Sequence, residues 1–222
     1  MTIKKAGLTI SVCISFGLLL FTFSSQAAPF KYVGVKDCTM CHKKESVGAQ
    51  IEKWTESKHA KAFEILGSAE AVKIGKQAGL KGNPNQSPEC LVCHTTAFGI
   101  DSKLLDKKFN VADGVQCEGC HGPGEKYSSK KEFKDLLQLK TDLSKAQKES
   151  AEYKTLVANI QAERTKLAGI GLVQPNEKMC RSCHAPQIVF QGKTYKNPSW
   201  NAGKDFNFAE SMKKIAHPRT QY

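Results

Sequence analysis

Hydropathy sets the beginning of this chain apart from everything after it. Ala6 to Phe23 is an uncharged, mostly apolar run behind Lys4 and Lys5, and no later stretch could span a bilayer. Further on, apolar positions return at helical intervals. In ESVGAQIEKWTESKHAKAFEILG, residues 45–67, His59, Ala62, Phe63 and Leu66 recur at i, i+3, i+4 and i+7, with Ile51 and Trp54 one or two turns earlier. That spacing predicts a helix with a histidine on its apolar stripe. A shorter helix is expected from Ala69 to Ala78, followed by the loop GLKGNPNQSPE. In AFGIDSKLLDKKFNVADG, residues 97–114, turn signals at Gly99 and Asp113-Gly114 suggest a small β-hairpin.

From Gly122 to Met179 the chain has no cysteine and no histidine. Phe133, Leu136, Leu137, Leu143, Tyr153, Leu156, Val157, Ile160 and Leu167 are spaced there among lysines and glutamates, and Gly169 and Gly171 mark the end. Two packed helices are predicted, with a partner-docking arm as the alternative. GKTYKNPSWNAGKDF, residues 192–206, reads as loop. Asp205 is then expected to cap a last helix carrying Phe208, Met212 and Ile215, which ends at His217-Pro218.

The cysteines change this picture most. Cys-x-x-Cys-His occurs at Cys38/Cys41/His42, Cys90/Cys93/His94, Cys117/Cys120/His121 and Cys180/Cys183/His184, leaving only Cys13 outside a motif. This spacing suits c-type haem attachment: two thiols form thioethers with the porphyrin vinyl groups, and the adjacent histidine reaches the iron from the same side. Zinc knuckles need four protein ligands per metal and give no reason for a histidine after every second cysteine. A disulfide framework leaves the four histidines unexplained. Four covalently attached haems are therefore expected.

The apolar start now has a meaning. Lys4 and Lys5, the run Ala6–Phe23 and the small-x-small sequence Ser25-Gln26-Ala27 predict a signal peptide over residues 1–27 and export to the periplasm. The run is long for a signal peptide, so an uncleaved anchor is the alternative, and membrane association is expected only in that case. Residues 28–222 should form one domain, mainly α with little β, its haems making up most of the core and the haem-free helical segment 122–179 inserted between the third and fourth sites. The 40% hydrophobic content suffices only with porphyrin supplying apolar surface, so the chain without haem should fold poorly.

The formal charge of +12 is offset by haem propionates, about eight negative charges if all ionise. A basic face could steer an acidic redox protein. Nucleic acid is excluded as a partner, because no recognition motif is present.

Only six histidines exist. Four belong to the motifs, leaving His59 and His217 for the far side of two irons. The other irons are then open, or bound by a methionine such as Met40, Met179 or Met212, by a lysine or tyrosine, or by another chain.

The order KDCTMCHK, Trp54…His59-Ala60-Lys61-Ala62, ECLVCHTTAFG, GVQCEGCHGPG, KMCRSCH and a last helix near a histidine resembles the cytochrome c-554 family, the tetrahaem electron carriers of nitrifying bacteria and their relatives. The resemblance covers nearly the whole exported chain. It implies a compact, mostly helical fold with haems in parallel-stacked and perpendicular pairs. It assigns His59 to the third haem and His217 to the fourth, and leaves the His94 iron five-coordinate. In the family the first haem takes a histidine from shortly after the third motif; EKYSSKKEF, residues 125–133, has none.

These readings lead to a periplasmic electron carrier working between a redox protein donor and acceptor. A small nitrogen-oxide reductase, acting on nitric oxide, nitrite or hydroxylamine at an open iron, is the alternative. No residues clearly build a substrate pocket, so no catalytic residue is assigned and a carrier is expected rather than an enzyme. A gas sensor is set aside because no signalling module is attached.

Overall fold

The computed structural model describes residues 30–45, 48–200 and 205–216. The predicted signal segment, residues 1–27, and His217 lie outside them. The described chain is mainly helical: α1 Val35–His42, α2 Gln50–Glu56, α3 Ala69–Gln77, α4 Pro88–His94, α5 Cys117–His121, α6 Lys134–Lys145, α7 Ala151–Gly169, α8 Glu177–Arg181 and α9 Phe208–Ile215. One small antiparallel sheet pairs β1 Gln187–Phe190 with β2 Lys193–Lys196.

The helix expected over 45–67 is broken. It runs only through α2; Ser57 then takes an extended conformation, and turns lead to a short 3₁₀ segment at Glu64–Gly67. The break has a physical reason: the carbonyl of His59 accepts the N–H of Val115 at 2.9 Å, a bond that a continuous α-helix would compete for. His59 is thus tied to the lead-in of the third motif. The expected hairpin over 97–114 is absent as well. Short 3₁₀ turns at Ser102–Leu104 and Val111–Asp113 fill that stretch, and Leu105 forms an isolated parallel bridge with Tyr32.

The hairpin lies instead in the segment read as loop. Gln191 and Gly192 both have positive φ, 48° and 75°, the left-handed pair that a tight hairpin turn requires. Ile188 and Tyr195 face each other across it and pack with Val92 of α4, with Cys93, Phe98 and Phe190 around them. The sheet therefore braces the second motif.

The α6–α7 hairpin matches the reading of 122–179. Leu136, Ile160 and Leu167 are buried at its seam, while Leu137 and Val157 face outward. Ser150 caps α7 through the N–H of Tyr153, and Asn207, rather than Asp205, caps α9 through the N–H of Glu210. The hairpin is tied to the third motif where Val173 donates to the His121 carbonyl at 2.8 Å. Among the described residues, the seam and the patch around Ile188 are the two clusters of buried apolar residues, both small for a chain of this length.

Candidate haem sites

Every motif is one helical turn. Cysteines at i and i+3 and a histidine at i+4 share a face, and the His184 N–H continues the pattern beyond α8 by donating to Cys180 O at 2.9 Å. Pro88 opens α4 and Asn176 caps α8 by accepting the Met179 N–H. After α5 the chain turns at Gly122, φ 77°, where a Cβ would lie 2.4 Å from the Gly171 carbonyl.

The motif residues suit haem. Three of the four histidines direct Nδ1 at an oxygen: His42 at Gln50 Oε1, 3.1 Å; His94 at the Ala62 carbonyl, 2.6 Å; His121 at the Val173 carbonyl, 3.3 Å. An Nδ1–H so engaged leaves Nε2 bare, the form that axial ligation requires. All eight motif cysteines are free, and among the described residues no cluster of His, Cys, Asp or Glu side chains forms a metal site on its own.

The fourth histidine is held differently. His184 lies flat on Phe206, ring centres 4.7 Å apart at 14°. Arg181 sits over the other part of that arrangement, 5.6 Å from the Phe206 ring centre, and donates to its carbonyl at 3.2 Å. His59 approaches His184 with ring centres 6.0 Å apart. Burial and the facing His184 lower the pKa of His59, which favours the neutral imidazole that binds metal. The resemblance assigned His59 to the third motif; its ring contact is with the fourth.

Motifs distant in sequence meet through their cysteines. Cys38 and Cys117 are within hydrogen-bond reach, as are Cys93 and Cys183. Cys93 Sγ also lies 3.9 Å from the Cys183 carbonyl, and Cys183 Sγ 4.0 Å from the Val92 carbonyl. Cys120 is close enough to Cys180 and Cys183 to feel their charge; with burial as the main cause, its pKa is pushed up to about 11.

Two buried polar side chains hold the first motif against the third. Glu118, 3% exposed, accepts the N–H groups of Val33 (2.8 Å), Gly34 (2.8 Å) and Gly124 (2.6 Å). Burial raises its pKa against the opposing pull of those donors. Gln116 accepts the Val35 N–H at 2.9 Å, donates through Nε2 to Asn110 O at 2.8 Å, and donates its own N–H to Thr96 Oγ1 at 2.8 Å. Trp54 Nε1 donates to Val115 O at 2.8 Å, and the Tyr127 hydroxyl donates to the His121 and Gly122 carbonyls. Sequence reasoning did not single out Glu118, Gln116 or Tyr127, although polar residues inside or beside the most constrained motif were the available signal.

Around the second motif lies a cavity of about 250 Å³, lined by Cys90, Cys93 and His94 with Ile65, Leu66, Ile74, Pro84 and Pro198 among its apolar walls. Its lining has no second histidine and no methionine, lysine or tyrosine. A wider groove on the α6–α7 hairpin is lined by no histidine, cysteine, methionine or tyrosine. No described helix is long and apolar enough to cross a membrane.

Residues 37–122 match the family described as cytochrome c554 and c-prime. Over 96% of the chain and 88% of the relative, the sequence is 28% identical to a cytochrome c-554 from Nitrosomonas europaea. No solved structure matches it.

Proposed function

We propose that the chain, similar over 96% of its length to a cytochrome c-554, is a c-type cytochrome of that family and works as a periplasmic tetrahaem carrier between two redox proteins. The observation that carries the reading is the cross-motif approach of the cysteines. First and third motifs adjoin, third and fourth adjoin, and fourth and second adjoin. Four bound haems would supply four one-electron iron couples in the spatial order first, third, fourth, second. The ends of that series are the first and second sites.

His59 and His184 are suited to a single iron. With ring centres 6.0 Å apart, the two imidazoles would be the residues that hold the iron of the fourth site between them. His217 then remains for the iron of His121. Ligation by two histidines in both oxidation states limits rearrangement, which suits a conduit.

The surroundings of His94 favour a second activity. Among the described residues no second histidine, methionine, lysine or tyrosine lines the cavity there, so an iron held by His94 would have an open position for a small neutral molecule such as nitric oxide. Low-temperature EPR of the oxidised holoprotein, with optical spectra of the reduced form under carbon monoxide, tests both readings. Four haems per chain, with one or two high-spin irons that bind carbon monoxide, are expected. Four low-spin, unreactive irons would refute the open site, a haem count below four would refute the tetrahaem assignment, and rapid turnover of a nitrogen oxide would replace the carrier reading with an enzyme.

A further inference from the structure

We propose that the exposed face of α1, made by Lys36, Met40, Lys43 and Lys44, is where an acidic redox protein docks to exchange electrons at the first site. The inference rests on the electron-carrier reading and adds the place and the kind of partner.

Met40 is the most exposed of the large hydrophobic residues described, at 73%. It lies between Cys38 and Cys41, so a partner covering it sits beside the covalent attachment of the first haem. Lys36 is one turn before it and Lys43 and Lys44 one turn after, and Lys43 retains helical geometry, so the cations share its side of the helix. All three lysines are exposed and make no ion pair among the described residues. Asp37, the acid on the same helix, is engaged by Lys108 at 2.7 Å. What remains is an apolar centre flanked by unpaired positive charge.

That composition matches a transient redox interface. Such contacts are small, with an apolar middle, and their charged rims accelerate encounter and fix orientation. The sulfur contacts add a positional argument, because the one other motif that Cys38 meets among the described residues is the third, through Cys117. The first site is an end of the series, where electrons must enter or leave.

Flavodoxin, an acidic flavoprotein, is a suitable probe. Its anionic hydroquinone gives up one electron and becomes the neutral semiquinone as one ferric iron becomes ferrous. Binding is read without turnover by titrating ¹⁵N-labelled holoprotein with oxidised flavodoxin. Shift changes centred on Lys36, Met40, Lys43 and Lys44 are expected, fading as salt is raised. The variant K36E/K43E/K44E, with haem content checked, should weaken binding and slow reduction tenfold or more at low salt. K145E/K148E/K154E, on the helical hairpin, should change neither by more than twofold. Shifts centred elsewhere, or equal losses in both variants, would overturn the docking face while leaving the carrier reading intact. A fully loaded holoprotein that flavodoxin cannot reduce at any salt concentration would instead overturn the carrier reading.

Discussion

Glu118 does its work with no ion pair among the described residues. Three backbone N–H groups, from Val33, Gly34 and Gly124, converge on one buried carboxylate. In Glu118→Gln an amide N–H₂ would face those donors, leaving at least one N–H unsatisfied; a loss of about 1–3 kcal/mol is expected, measured by thermal unfolding of the holoprotein. Because burial raises the Glu118 pKa, its titration contributes stability below the ordinary carboxyl pKa that is lost as pH rises through the raised value. The wild-type advantage over the glutamine variant should therefore shrink as pH rises through that range. Gly114 gives a second test. Its φ is 71°, and a Cβ there would sit 2.6 Å from the His59 carbonyl. Gly114→Ala should displace His59, converting one low-spin iron to high-spin in EPR and adding one carbon monoxide site. Of these residues, the sequence exposed the motif cysteines and histidines through fixed spacing. Glu118 and Gln116 could draw notice only as polar residues in and beside a motif; their bonds to Val33, Gly34 and Val35, more than eighty residues away, leave no local pattern.

Among the elements, the long helical hairpin was legible because it holds a helical rhythm over several turns and has a recognisable cap at Ser150. Leu167 is 2% exposed at its seam. Leu167→Ala should cost about 2–5 kcal/mol, read as faster hydrogen exchange across α6 and α7, with haem content unchanged. The β1–β2 hairpin was not legible: four-residue strands are too short to establish an alternation, and Gln191-Gly192 is a weaker turn signal than Asn-Gly. Residues 57–63 failed for the opposite reason. Their apolar spacing is helical, but the bond from Val115 to the His59 carbonyl draws them into turns.

Across the whole molecule, the two apolar clusters are small and the motifs lie apart from the hairpin seam. The chain without haem should therefore lack a cooperative unfolding transition by circular dichroism, and the holoprotein should show one. The same cysteine pairs that set the series of sites bear on how the protein is made. In any folded form that precedes its thioethers, Cys38 would face Cys117 and Cys93 would face Cys183 as thiols within hydrogen-bond reach. A small shift would permit a disulfide between them. An oxidant that reached the chain first would then lock sulfurs from two different motifs together, so haem attachment is in a race with oxidation, and both motifs of a facing pair would be disabled by losing it.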